Sequence, residues 1–228
     1  TQLEIFPSNV CNLQCFMCDK NSSTAVGAEQ KRLGYITDYQ HIDNVDSCMD
    51  AINSLPDLTD VSFIGGEFFL TKKNLEILDL LIEKQVGVRV VTNATVILPE
   101  HVERLKKTAS LDLQISLDGI EENYEFMRYP AKWATVNRNI LYLKNELPTK
   151  KLDFNFVVQP LNIQYMIPTL DYANRLMIPT MLTNLISPMW LSWVILNDHE
   201  KQQIVQLLDQ QQNDYKLTNK QKTQIAFK

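Results

Sequence analysis

Residues 3–19 read Leu3-Glu4-Ile5-Phe6-Pro7-Ser8-Asn9-Val10-Cys11-Asn12-Leu13-Gln14-Cys15-Phe16-Met17-Cys18-Asp19. The first four positions form a strand-like segment that Pro7 and Ser8 stop, and a cysteine-rich loop follows at once. Three of the chain's four cysteines fall within eight consecutive positions, spaced C-x3-C-x2-C. Thiolates this close on one loop converge on a metal centre, and soft sulfur selects zinc, copper(I) or iron–sulfur clusters. A structural zinc site is ordinarily closed by four protein ligands. His41, Cys48, His101 and His199 are all distant in sequence from the loop. A 4Fe–4S cube held by three cysteines instead leaves one iron open. A disulfide with a spare thiol, or a zinc knuckle, is the alternative reading of the same spacing.

Working outward from the loop, strand and helix patterns alternate. Val45, Cys48, Met49, Ile52 and Leu55 recur at helical spacing, which predicts an amphipathic helix over about residues 43–55 with Cys48 as a buried, inert thiol. Residues 61–64 read as a strand, 75–82 as a helix, 88–93 as a strand, and Pro99 opens a helix carrying Val102 and Leu105. Residues 111–117, 152–158 and 180–186 read as further strands. Helices are predicted through Trp133–Leu147, around Ile167–Ala173 with Pro168 in the first turn, and around Ile204–Leu208. The polar stretch 20–40 reads as a loop with room for a short helix. Six strand–helix alternations with short connections imply parallel strands with helices on the outside. The expected fold is α/β, an open (β/α)6 partial TIM barrel, with a doubly wound sheet as competitor. Residues 1–216 are expected to form one core and 217–228 a tail leading to a missing segment. A start at Thr1 on a strand suggests a piece of something longer.

The chain has 228 residues, 45% of them hydrophobic, which suffices for a well-buried core. A formal net charge of -5 argues against a general nucleic-acid surface, though not against a local basic groove. Clustered rather than scattered cysteines suit a reducing compartment, so a cytoplasmic location is expected. No apolar run approaches the ~20 residues that span a bilayer.

In parallel βα architectures, ligands bind at the C-terminal ends of strands. Gly65-Gly66-Glu67 ends the second strand, Thr92-Asn93 the third and Ser116-Leu117-Asp118-Gly119 the fourth. Two glycines allow close backbone approach, and the adjacent carboxylate can accept hydrogen bonds from an ammonium. By the period of two, Ser116 and Asp118 share one strand face. Asp118 could equally shape the Asp-Gly turn. The Arg128 guanidinium can grip a carboxylate bidentately, or it can simply be solvated. Asn184, Leu185 and Ile186 could flank a ring or pack in the core.

The cysteine spacing followed by Gly-Gly-Glu resembles the radical S-adenosylmethionine (radical SAM) superfamily, most closely the subgroup carrying SPASM or shortened twitch extensions. Phe68 stands where that family's Gly-Gly-Glu-Pro motif has proline, and Ala94 where Thr-Asn-Gly has glycine. The resemblance implies that Cys11, Cys15 and Cys18 hold a 4Fe–4S cluster. It further implies cofactor binding by Gly65, Gly66, Glu67, Thr92, Asn93, Ser116, Asp118, Arg128 and Leu185. Glu67 would take the amino group of S-adenosylmethionine, Ser116 its carboxylate or ribose, and Arg128 its carboxylate. Phe16 and Met17 would shield the cluster.

The implied chemistry is reductive cleavage of S-adenosylmethionine to a 5′-deoxyadenosyl radical that abstracts hydrogen from substrate, in an oxidoreductase or transferase. A one-electron donor of flavodoxin or ferredoxin type is then a partner, and a peptide or protein is the leading substrate by analogy. No cysteine follows Cys48, so no auxiliary cluster of the SPASM kind is expected within these residues. The apolar loop 187–196 could face substrate or pack against another segment. Rival readings are a non-catalytic iron–sulfur or SAM-binding module and a zinc-stabilised interaction domain. The three histidines are expected to be ordinary surface or helix residues.

Overall fold

The computed structural model describes residues 1–214; the predicted tail 217–228 lies outside the described residues. Six strands run in sequence order, β1 (Gln2–Ile5), β2 (Asp60–Phe63), β3 (Gly87–Thr92), β4 (Leu111–Ser116), β5 (Lys151–Val158) and β6 (Thr180–Asn184). They form one sheet in the order β1-β2-β3-β4-β5-β6, all parallel. Val61 stands opposite Leu3 and Val88, and Val90 opposite Leu113. A doubly wound sheet reverses its strand order at a switch point. A monotonic order is the (β/α)-barrel type of winding, so the competing topology is excluded.

The helices are α1 (Thr24–Arg32), α2 (Val45–Ser54), α3 (Lys72–Glu83), α4 (Pro99–Lys107), α5 (Glu121–Met127), α6 (Trp133–Glu146), α7 (Met166–Arg175) and α8 (Asp198–Asp214). Sequence periodicity located all of these except α1 and α5. Gly27 obscured α1, yet its hydrogen lies where a Cβ would meet the Tyr39 ring at 2.5 Å, so a glycine is needed for close packing rather than for a turn. Arg128 proves to be the C-cap of α5 rather than a loop residue. The last strand ends at Asn184, leaving Leu185 and Ile186 just beyond it.

The contacts divide the chain into two compact units. The first comprises residues 1–115 and 134–152. Its sheet residues Val61, Val90, Leu113 and Ile115 are buried, as are Ile77, Leu78 and Leu81 of α3 and Val136, Ile140 and Leu143 of α6. Cys48 is buried on α2, as its place in the apolar pattern predicts, and burial raises its thiol pKa. The second unit comprises, among the described residues, 116–133 and 153–214. Its described core gathers Phe156 and Val158 of β5, Met166, Ile167 and Leu170 of α7, and Leu208 of α8.

Leu81 has no exposed surface. Truncating it removes buried methyl groups and leaves a cavity, so Leu81→Ala is expected to cost about 2–5 kcal/mol in urea unfolding.

Candidate active site

The first unit brings three strand ends into one hydrogen-bonded assembly. The cysteine loop after β1 is framed by α1. Ser23 caps that helix, accepting from the Val26 N–H at 3.4 Å and donating its hydroxyl to Leu13 O at 2.7 Å. The Cys11 N–H donates to the Thr24 hydroxyl at 3.2 Å, and the Thr24 N–H to Asn9 O at 3.0 Å. Asn9 is fully buried; its amide donates to Gln40 O at 2.8 Å and accepts from the Ile42 N–H at 2.9 Å. A Ser-Thr pair opening a helix is a legible N-cap signal, so Ser23 and Thr24 were within reach of sequence reasoning. Nothing local marked Asn9.

The Gly65-Gly66-Glu67 turn after β2 lies directly on this loop. The Glu67 N–H donates to Val10 O at 2.8 Å. Gly66 has φ +53, and a Cβ there would stand 2.5 Å from Val10 O and 2.9 Å from Ser8 O. Both glycine properties are used at this one position, left-handed backbone and close approach. Phe68, standing where the resemblance predicts proline, begins a 3₁₀ turn over Phe68–Leu70. Its ring is buried edge-on against Phe63, with ring centroids 4.8 Å apart.

Glu67 is 1% exposed. Its carboxylate accepts from the Thr92 hydroxyl at 2.6 Å, the Asn93 N–H at 2.6 Å and the Phe69 N–H at 3.3 Å. A buried carboxylate is tolerable only with such donors. Asn93 continues the assembly. Its amide nitrogen lies 3.1 Å from Asn12 Oδ1 and 4.0 Å from Cys11 Sγ, while its Oδ1 accepts from the Thr95 N–H at 2.9 Å and hydroxyl at 2.6 Å. The Asn12 amide in turn donates to the Thr95 hydroxyl at 2.9 Å. Asn12 and Thr95 were not singled out from sequence. Ala94 takes φ +55 with its side chain buried, a conformation that the glycine of the resembling motif would adopt without strain.

Cys15 is buried, and Cys11 and Cys18 are partly so. Burial, reinforced by the charges of Glu67 and Cys15, pushes the Cys11 thiol up to about 11, against hydrogen bonds from Leu13 and Ser23. A bound metal lowers the pKa of a coordinating thiol by its own charge. Among the described residues, no three His, Cys, Asp or Glu side chains converge closely enough to hold a single ion. Three soft thiols on one loop are a donor set that would suit an iron–sulfur cluster. Phe16 stands 39% exposed and Met17 is partly buried. His101 is a buried helix residue; its Nδ1 accepts the Leu98 N–H at 3.2 Å and its ring stacks on Phe69.

The second unit holds the other predicted residues. Ser116, at the end of β4, is partly buried. Asp118 is fully buried; it accepts from the Val157 N–H at 2.8 Å and pairs with Arg128 at 2.6 Å. Burial raises the pKa of the Asp118 carboxyl, while Arg128 and the Val157 N–H favour its ionised form. Buried Asn162 donates to Val157 O at 2.9 Å and Asp118 O at 3.3 Å, so this network ties the turn at Asp118 to β5. Leu185 is buried, and its N–H donates to Val158 O at 3.2 Å.

The chain matches the family described as the Radical SAM superfamily over residues 5–173 and belongs to that family of enzymes. Membership implies a 4Fe–4S cluster and S-adenosylmethionine. Among solved structures, it resembles Streptococcus suis SuiB bound to S-adenosylmethionine (16% identity, TM-score 0.65), covering 95% of this chain and 49% of that one. It resembles SuiB bound to the precursor peptide SuiA similarly (16%, 0.66, covering 95% and 47%). A third is anSMEcpe with bound AdoMet and the Cp18Cys peptide (19%, 0.60, covering 82% and 52%). These likenesses show the fold, and the chain spans about half the length of each. No curated protein matches. Among the described residues, no helix is long and apolar enough to cross a membrane.

Two substitutions check the geometry. Gly66→Ala forces a side chain onto the Val10 and Ser8 carbonyls at positive φ; a loss of about 1–3 kcal/mol in thermal unfolding is expected, with lower iron content after reconstitution. Arg128→Met leaves the Asp118 carboxylate buried and unpaired. It is expected to cost about 3–5 kcal/mol, and the double change with Asp118→Asn should recover part of that loss in the same denaturation assay.

Proposed function

We propose that this chain is the core of a radical SAM enzyme in which Cys11, Cys15 and Cys18 hold the 4Fe–4S cluster. Gly65, Gly66, Glu67, Thr92 and Asn93 then receive the methionyl end of S-adenosylmethionine. The observation that carries the reading is the Asn93 contact set. One residue meets the Cys11 thiol through its amide and the Glu67 carboxylate through its backbone N–H. The two motifs that the family uses for cluster and cofactor are thereby held in one rigid assembly.

A cluster held by Cys11, Cys15 and Cys18 would supply one electron to the sulfonium of the bound cofactor. The chain's own residues bind and orient. Glu67 presents negative charge to an ammonium from a carboxylate already fixed by Thr92, Asn93 and Phe69. The Asn93 amide donates toward the Cys11 sulfur, and hydrogen bonds to a ligating sulfur tune a cluster's potential. Burial of Cys15 and Leu13 keeps the loop's interior dry, which limits side reactions.

The same proposal assigns Ser116 and Leu185 to cofactor contact on sequence grounds. Asp118 and Arg128, though also candidates, are already engaged with each other. A place near the SPASM/twitch-type subgroup, a flavodoxin- or ferredoxin-like electron donor and a cytoplasmic location belong to this reading. A peptide or protein substrate is supported by the peptides bound in the SuiB and anSMEcpe structures.

The test is anaerobic reconstitution with iron and sulfide, then dithionite and S-adenosylmethionine, with 5′-deoxyadenosine as readout. Product is expected from the unaltered chain and none from Cys15→Ala. Glu67→Gln should load the cluster and bind the cofactor about tenfold or more weakly, since the charge that meets the ammonium is gone. A chain that loads the cluster and binds the cofactor without cleaving it would favour the non-catalytic module. Retention of zinc in place of iron would sink the reading.

A further inference from the structure

The second unit contains a cavity of about 370 Å³ whose lining includes none of the residues proposed to hold the cluster or the cofactor. Its volume lies in the range that holds one small organic molecule. The floor is core: Val158 of β5, Met166 of α7 and Leu208 of α8 are 5%, 2% and 8% exposed. Trp193 forms part of the wall, and Asn184 at the end of β6 lines the cavity too. Among the described residues, Lys201 is the single charged one in the lining. Its ammonium lies 5.8 Å from the centroid of the Trp193 ring. Among the described residues it has no ion-pair partner.

This chemistry selects its occupant. An apolar floor rejects sugars and phosphates, whose many polar groups would lose water without replacement. A cationic ligand is repelled by Lys201. A neutral hydrocarbon would fill the floor but strip water from the ammonium and return nothing. The remaining class is a hydrocarbon with one anionic end. We propose that this cavity binds a small apolar carboxylic acid, its carboxylate on Lys201 and the Asn184 amide and its aromatic or branched body against Trp193 and Met166. The site is a binding site additional to the cluster and cofactor residues, and its existence does not depend on the function proposed for them.

The experiment is calorimetric titration of the full chain, without reconstitution, with phenylbutyrate and with its neutral amide, alongside tryptophan fluorescence. Saturable binding of the acid is expected, with the amide at least about tenfold weaker, the signature of a used charge. Lys201→Met keeps the apolar stem and should lose that discrimination while its thermal midpoint stays unchanged. Val205→Trp, at a rim position that is 54% exposed, should close the mouth and weaken acid and amide alike. Equal binding of acid and amide, no saturation into the millimolar range, or an unaffected Lys201→Met would each overturn the proposal. So would markedly tighter binding of an apolar peptide lacking a free carboxylate.

Discussion

The buried Glu67 carboxylate is the constraint on which the first unit depends. A charge with 1% exposure must be surrounded by donors, and here the donors come from the ends of two different elements. Thr92 and Asn93 supply them from β3, and Phe69 from the turn that follows Glu67 itself. The residue's own N–H reaches back to Val10 in the cysteine loop. One residue, through its side chain and its backbone N–H, thus couples three segments whose furthest members, Val10 and Asn93, are 83 positions apart in sequence. Satisfying its desolvation is what sets their mutual placement.

Backbone conformation completes what hydrogen bonding begins. Gly66 lies against two carbonyls of the cysteine loop, where no side chain fits. Ala94 occupies a left-handed position that ordinarily suits glycine, and its methyl is buried. The cost of that conformation, of the order of 1–2 kcal/mol, is borne next to Asn93, whose amide meets the Cys11 thiol. Gln85, Glu121 and Met177 take the same left-handed region at the ends of other elements, so this kind of backbone strain is not confined to the surroundings of the thiols.

The second unit uses its buried charges differently. Asp118 and Arg128 satisfy each other, and with Asn162 they lock the turn at Asp118 to the backbone of Val157 in β5. Such a pair contributes placement more than net stability. Elsewhere in that unit, Lys201 stands over Trp193 beside an apolar cavity. A charged group can be buried as structure or left available for a ligand, and the presence of a matched partner separates the two cases.

The sequence by itself determined the alternation of strands and helices and the candidate residues at the strand ends, whereas the strand order that excludes a doubly wound sheet came from the tertiary structure. Period-two and helical patterns are local properties, so six strand–helix alternations could be counted without a structure, and the spacing C-x3-C-x2-C marks a candidate thiol cluster directly. Gly-Gly-Glu and Thr-Asn could be placed at strand ends for the same reason. What only the tertiary structure decided is which groups meet. Asn9, Asn12 and Thr95 carry no local signal, because their roles come from partners as far as 83 positions away. The Arg128 stretch read as a loop because α5 has only seven residues, too few for a clear period. Whether Asp118 shapes a turn or meets a charge was equally hidden. An ion pair is a fact about distance in space, and sequence spacing does not contain it.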